Sequence, residues 1–311
     1  MPENSGPNRA WSATSHSRAR DYHDSVSEDA LPQRMIAARR IALEAARLTL
    51  RWFPGPTLGA NRDTSPHLET LTQETKGDGS PVTIADRSAE TLVRERLAEA
   101  FPRDGVLGEE FGERAGTSEY RWVVDPIDGT VSFVHGVPLY GTILGLEKDG
   151  SPIGGVIVMP ALNELVWGAI GLGSWHELEL DEVGQARTST PAKVSNTSRL
   201  SDATLVTTSL DYFEKARAIE LYPRLQKSCA VTRGWSDCYG LVLVATGRAD
   251  ASVEPLMKPW DICGAVAIIE EAGGRCTDFA GHRRVTSGNA VVSNGALHDQ
   301  LLAVVRYPAH T

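Results

Sequence analysis

The chain has 311 residues, 41% of them hydrophobic and 23% charged, with a formal net charge of −9. This is ordinary soluble globular composition, long enough for one large domain or two with ample core. The acidic balance argues against a nucleic-acid-coating surface, and no apolar stretch reaches the roughly 18–20 residues of a membrane span, so neither nucleic acid nor membrane is an expected partner.

Cys229, Cys238, Cys263 and Cys276 all fall in the last third without a CxxC pair, as expected of reduced, partly buried thiols in a cytosolic protein. The eight histidines do not cluster, so zinc is not expected. The start of the chain lacks the apolar core of a signal peptide. Arg9, Arg18 and Arg20 hint at an organellar transit segment, but Glu3, Asp21 and Asp24 count against one, leaving a cytoplasmic location as the expectation.

Residues 1–28 are polar and aperiodic and are expected to be disordered. Strong helix formers from Leu31 to Phe53 predict a helix ended by Pro54-Gly55-Pro56, followed by a polar loop to about Ser80. Thr83 followed by Asp86 marks a helix start, with Ala89, Leu92, Val93, Leu97 and Ala100 along one face. Val106–Glu110 is expected as a short strand ending in acids. Trp122-Val123-Val124 is a second strand, running into Asp125-Pro126-Ile127-Asp128-Gly129-Thr130. Gly141–Leu146, Gly155–Met159 and Glu164–Gly168 continue as an antiparallel meander.

The polar stretch Ala186–Ser198 is the best boundary, dividing an N-terminal half (29–190) from a C-terminal half (191–311). Beyond it, strands at Ala203–Thr208, Ala249–Val253 and Ala290–Ser293 alternate with helices at Tyr212–Lys227, Ser236–Thr246, Asp261–Ala272 and Leu297–Val305. The pattern predicts a layered α/β half packed against an α+β half.

Three acidic groups stand at element ends: Glu109-Glu110, Asp125 with Asp128, and Asp261 after Pro259-Trp260. Charge at the end of a buried strand needs a compensating cation. Mg²⁺ takes oxygen ligands in an octahedron and keeps several waters, so converging carboxylates and the Ile127 carbonyl make a plausible cage. Singly, each group has an ordinary explanation: a helix cap for Asp261, surface for the Glu pair, a turn for Asp-Pro-x-Asp-Gly.

Together, Gly108-Glu109-Glu110, Asp125-Pro126-Ile127-Asp128-Gly129-Thr130 and Trp260-Asp261 with Glu270-Glu271-Ala272-Gly273-Gly274 resemble the signatures of the inositol monophosphatase family, in order over about residues 35–305. The resemblance implies a layered αβαβα sandwich, lithium-sensitive Mg²⁺-dependent phosphatase activity on a small phosphorylated metabolite, and a homodimer. It implies two or three Mg²⁺ ions held by Glu109, Asp125, the Ile127 carbonyl, Asp128 and Asp261, with Glu110 near a weaker third position. It also implies that Thr130 and Asp86 form a hydroxyl–carboxylate pair helping Glu109 to activate water. The phosphate is expected on the Gly129 and Thr130 amides, where a short helix begins. Val131-Ser132 departs from the Thr or Lys and then Asn that are frequent in the family, beside the ligands rather than among them.

The alcohol side is expected from Gly234–Gly240 and Ala249–Pro255, with Trp235, Ser236, Asp237 and Glu254 as substrate-binding residues. Inositol phosphatases commonly have small residues at the positions of Ser236 and Asp237. A second carboxylate beside Glu254 favours a cationic alcohol, because a charge-assisted hydrogen bond is stronger than a neutral one. These segments, with Asp104–Gly112, resemble the histidinol-phosphatase branch of the family. Asp237 has a plain alternative as a helix cap, and Trp235 is expected more as packing than as a stacking surface. Arg233 stays open between a structural ion pair and a reach to phosphate across a dimer. The alternatives are an inositol-1-phosphatase, a broad sugar or nucleotide phosphatase, or a regulatory binding protein with vestigial catalysis. The intact acid set argues against the last.

Overall fold

The structure, a computed structural model, describes residues 31–55, 73–75 and 81–306. The expected disorder of residues 1–28 and most of the expected loop before Ser80 lie outside these residues.

Helix α1 (Leu31–Thr49) buries Met35, Ala38, Ile41, Ala42, Ala45, Ala46 and Thr49, a helical stripe of small and branched side chains. It ends four residues earlier than expected. The chain tightens into i→i+3 bonds, Leu50 N–H to Arg47 O at 3.2 Å and Trp52 N–H to Thr49 O at 3.0 Å, ahead of Pro54. A short hairpin of β1 (Gln73–Thr75) and β2 (Pro81–Thr83) leads into α2 (Ile84–Ala100). There Thr83 accepts the Ala85 N–H at 3.1 Å and Asp86 accepts the Thr83 N–H at 2.8 Å, the reciprocal cap foreseen in the sequence.

The first sheet runs from β3 (Gly105–Gly108), β4 (Gly112–Arg114) and β5 (Tyr120–Asp128) through β6 (Gly141–Lys148), β7 (Ser151–Met159), β8 (Glu164–Ala169), β9 (Gly173–Leu180) and β10 (Ala186–Pro191). The spatial order is β10-β9-β8-β7-β6-β5-β3-β4, with β3 and β5 parallel and the other pairs antiparallel. The second sheet comprises β11 (Thr204–Val206), β12 (Val231–Arg233), β13 (Ala251–Glu254), β14 (Arg275–Thr277) and β15 (Ala290–Ser293), in the order β12-β11-β13-β15-β14.

The Trp122-Val123-Val124 run is continuous rather than alternating because both faces of β5 are covered. Trp122 and Val124 pack with α1 and α2. Val123 faces the other way, with Ile143, Ile157 and Val166, against α6 (Cys238–Ala245) and α7 (Pro259–Glu271). That same core takes in Val206 and Val292 of the second sheet. On the far side Leu205, Val253 and Val291 pack with α4 (Leu210–Lys215), α5 (Leu221–Ser228) and α8 (His298–Arg306). The order is helices, sheet, helices, sheet, helices: the αβαβα sandwich expected from the resemblance.

Two expectations change. The helix expected over Tyr212–Lys227 is two, α4 and α5, separated at Arg217 with φ +56°. In one continuous helix Pro223 would meet the carbonyl four residues back; the restart at Leu221 puts it in a first turn. The stretch expected as a boundary, Ala186–Ser198, begins with β10, which pairs with β9 at the edge of the first sheet. Its polarity is that of an exposed edge strand.

Helix α7 follows the second half's β13 in sequence, yet lies on the first sheet. The approach is so close that a Cβ on Gly155 would fall 2.0 Å from Gly264 O, and one on Gly145 2.8 Å from Gly264 N. We expect Gly155→Ala to push α7 off the sheet and cost about 1–3 kcal/mol or more. Urea unfolding checks this, and an unchanged midpoint would contradict the contact.

Candidate active site

In a regular strand residues three apart face opposite sides, so Asp125 and Asp128 would diverge. Here β5 carries a bulge: Asp125 pairs with Ile143 and Asp128 with Gly141, three residues against two. Thr142 Oγ1 donates to Pro126 O at 2.8 Å within the bulge, and Ile127 is buried with Trp52, Ala85, Phe133 and Tyr140. The extra residue turns both carboxylates to one side. Asp261, in the first turn of α7, joins them while accepting the Lys258 N–H at 2.7 Å. Carboxylate oxygens of Asp125, Asp128 and Asp261 all lie within 4.8 Å of one another, a spacing able to hold a metal ion.

Glu109 and Glu110 stand on the turn after β3, outside that tight group. The Glu109 N–H donates to Val124 O at 3.2 Å, which places Glu109 beside Asp125. The Ile127 carbonyl accepts Thr130 Oγ1 at 3.0 Å. Asp86 accepts both the N–H and, at 2.6 Å, the hydroxyl of Thr83. Thr130 and Asp86 thus each bond a local partner and not one another, so the hydroxyl–carboxylate pair expected from the resemblance is not formed in this arrangement. Gly129 precedes α3 (Thr130–Val134), whose first-turn amides lack partners within the helix.

Asp237 stands at the N-cap position of α6 but makes no capping bond. Its side chain turns toward β5 instead, 3.3 Å from where a Gly129 Cβ would be, and Oδ1 accepts Thr208 Oγ1 at 3.3 Å. Its backbone is at φ +56° and ψ −153°, a region that L residues occupy at a cost. Glu254, buried, accepts Thr208 N–H at 3.2 Å, Thr207 Oγ1 at 3.4 Å and Ser252 Oγ at 3.1 Å. Ser252 in turn meets Ser236 Oγ at 3.2 Å. Trp235 is 47% exposed rather than packed in a core, with the Arg233 guanidinium 6.0 Å from its ring centroid.

The site's electrostatics follow from this crowding. Burial pushes Asp125 well up, reinforced by the charges of Glu109, Asp128, Asp261 and Asp86. Burial also raises Asp128, with Asp237, Asp261 and Glu109 adding to it. Asp261 is raised to about 7, Glu254 to about 7, and Asp86 and Asp237 to about 6, burial being the first cause in each. Asp125 Oδ1 and Asp86 Oδ1 are buried without a hydrogen-bond partner. Orphaned acceptors among mutually repelling carboxylates are the donor set a hard divalent cation fits.

The model of the inositol monophosphatase family matches residues 37–308. The chain belongs to the inositol monophosphatase family. Within it, the chain is 38% identical over 269 residues to a histidinol-phosphatase of Chlorobaculum parvum, covering 86% of this chain and 95% of that one. It is 40% identical to a histidinol-phosphatase of Streptomyces coelicolor, over 75% of this chain and 86% of that one. A solved inositol monophosphatase from an Anabaena species superposes with a TM-score of 0.71 at 29% identity, covering 88% of this chain and 96% of that one. By family, the chain is a phosphatase, a phosphoric monoester hydrolase. Among the described residues no helix is long and apolar enough to cross a membrane.

Several residues here carry no motif in the sequence. Thr142 is a single hydroxyl inside a strand-like run, and Thr208 is the middle of three hydroxyl residues, Thr207-Thr208-Ser209, at the end of one. The Tyr212 phenol is pushed up by burial and then by the charges of Asp237, Asp128 and Asp261. Glu90 had one legible signal, an acid one turn after Asp86 on the apolar face of α2.

The raised carboxylates bind protons more tightly folded than unfolded. Their stabilising contribution is therefore full below about pH 4 and lost as pH climbs through about 6–7. We expect metal-stripped protein to melt lower at pH 8 than at pH 5.5, and Mg²⁺ to raise the melting temperature more at pH 8. Thermal melts at both pH values check this; equal shifts would contradict it.

Proposed function

We propose that this chain is a Mg²⁺-dependent phosphomonoesterase that hydrolyses L-histidinol phosphate to L-histidinol and phosphate. The observation that carries the choice of alcohol is Asp237: a carboxylate held in a strained conformation, not capping its helix, and turned to the acid cluster. With Glu254 it adds a second negative charge on the alcohol side, suited to an ammonium-bearing leaving group. The 38% and 40% identities to proteins named histidinol-phosphatase support the same reading.

Glu109, Asp125, the Ile127 carbonyl, Asp128 and Asp261 would hold two Mg²⁺ ions, with Glu110 toward a third. Bound there, Mg²⁺ supplies charge that lowers the pKa of a water and stabilises the leaving oxygen. Glu109 accepts the proton of the attacking water, with Thr130 and Asp86 orienting it. Water oxygen bonds to phosphorus, the phosphorus–ester oxygen bond breaks, and the departing oxygen takes up one proton from solvent, balanced by the release to solvent of the one Glu109 accepted. The Gly129 and Thr130 amides hold phosphate oxygens, while Asp237, Glu254, Ser236 and Trp235 surround the alcohol. The homodimer implied by the resemblance belongs to this reading, and sedimentation checks it.

Asp128→Asn should abolish Mg²⁺-dependent phosphate release while leaving the metal-stripped protein folded, since it removes one of several repelling charges. Near wild-type turnover would refute the metal assignment. A phosphate-release panel of histidinol phosphate, inositol 1-phosphate, fructose 1,6-bisphosphate and 3′-phosphoadenosine phosphate tests the alcohol. Asp237→Ala should cost histidinol phosphate turnover about 10–100-fold in kcat/KM, the worth of one charge-assisted hydrogen bond, and inositol 1-phosphate turnover far less. Equal losses would favour an inositol phosphatase or a broad sugar or nucleotide phosphatase.

A further inference from the structure

Glu90 is fully buried, one helical turn after Asp86 on the face of α2 that also carries Ala89, Val93 and Leu97. A buried carboxylate is costly unless its oxygens are met by donors. Here Oε2 accepts the Glu110 N–H at 2.7 Å, and Oε1 accepts the Phe111 N–H at 3.3 Å and Arg94 Nε at 2.7 Å. Arg94 also donates to the Gly112 carbonyl, at the far end of the same turn. A Cβ on Gly108 would fall 2.0 Å from Glu90 Oε1, so the carboxylate occupies the space which the missing side chain leaves. The residue between these fixed points is Glu109, whose own N–H is tied to Val124 O.

We propose that Glu90 is a positioning residue for Glu109: its buried carboxylate fixes the turn that aims Glu109 at Asp125, and so sets how tightly the acid cluster holds a divalent cation. The proposal rests on the cation-binding reading above. It also gives Gly108 a reason, which is to admit Glu90 beneath the turn.

Glutamine cannot take this place. Both oxygens face N–H groups, so an amide nitrogen at either position would set donor against donor. Aspartate is one methylene too short to span from α2 to the Glu110 amide. A purely structural Glu90 would lower the melting temperature without changing cation affinity; a positioning Glu90 changes the affinity.

The test titrates Mn²⁺ into metal-stripped wild type, Glu90→Gln, Arg94→Ala and Asp128→Asn, counting the free ion by EPR, with thermal melts alongside. Glu90→Gln should weaken binding about 10–100-fold, the usual effect of losing a group that orients a metal ligand. Arg94→Ala should weaken it by a smaller factor, and carries the test alone if Glu90→Gln does not fold. Phosphatase activity of Glu90→Gln and Arg94→Ala, though not of Asp128→Asn, should rise again at high Mg²⁺ as the weakened site fills. If Asp128→Asn loses affinity while Glu90→Gln and Arg94→Ala bind as wild type, the positioning role is overturned. If Asp128→Asn itself binds as wild type, the cation reading fails, and this proposal with it.

Discussion

Like charges forced together below the surface are the constraint on which the rest of this structure depends. Two unit charges 4 Å apart repel by about 4 kcal/mol at an effective dielectric constant near 20. Asp125, Asp128 and Asp261 have oxygens within 4.8 Å of one another, with Glu109, Asp86 and Asp237 adding to the field. Repulsion on that scale rivals the ~5–15 kcal/mol by which a whole domain is stable, so the carboxylates hold protons, as their raised pKa values show, unless a cation replaces them. The carboxylates would swing apart if they could. They do not, because β5 is covered on both faces, its bulge is held through Thr142, and α7 is seated on the sheet at Gly155 and Gly264.

The layers therefore act as a clamp. Asp261 arrives on a helix that enters from the second half of the chain, and that helix packs where only glycines let its backbone in. Asp86 arrives on α2, anchored by the cap it forms with Thr83. Asp237 arrives on a backbone in a conformation that costs roughly 1–3 kcal/mol, tolerated because Cys238 and the rest of α6 are locked in the central core. Rigidity comes from apolar packing, and it is directed at holding groups that repel one another.

This division explains what the sequence could reveal. Pattern and spacing were enough for the capped start of α2, the buried strand β5 and helix α7, because each depends on local chemistry: a hydroxyl three residues before an acid, an apolar run, a proline before a tryptophan and an aspartate. Pro223 carried the break between α4 and α5 in plain view, but the helix formers around it hid the signal. The edge strand β10 looked like a linker since an exposed edge strand and a linker are both polar. The bulge between Asp125 and Asp128 was invisible, as it is defined by pairing with Ile143 and Gly141 on another strand. Thr208 was hidden too, its Asp237 partner lying 29 residues away, and Glu90 showed only as an acid one turn after Asp86, with nothing local to announce the Glu110 amide 20 residues on.

The two ends of the site rest on different parts of the fold. The acid cluster is built from β5, the turn after β3, and the first turns of α2 and α7, all packed on the first sheet. The Glu254 network is built from β11, β13 and the segment before α6, on the second sheet. Residues such as Ser236 and Asp237 can therefore change without moving Asp125 or Asp128, and the chemistry can persist while the alcohol varies. Asp237 is where the two parts meet. It lies against Gly129 on one side and bonds Thr208 on the other, so its charge bears on Asp128 and, in the reading proposed above, on the alcohol as well. A change there is never purely one of specificity, because the carboxylate proposed to select a cationic alcohol also belongs to the field around Asp128.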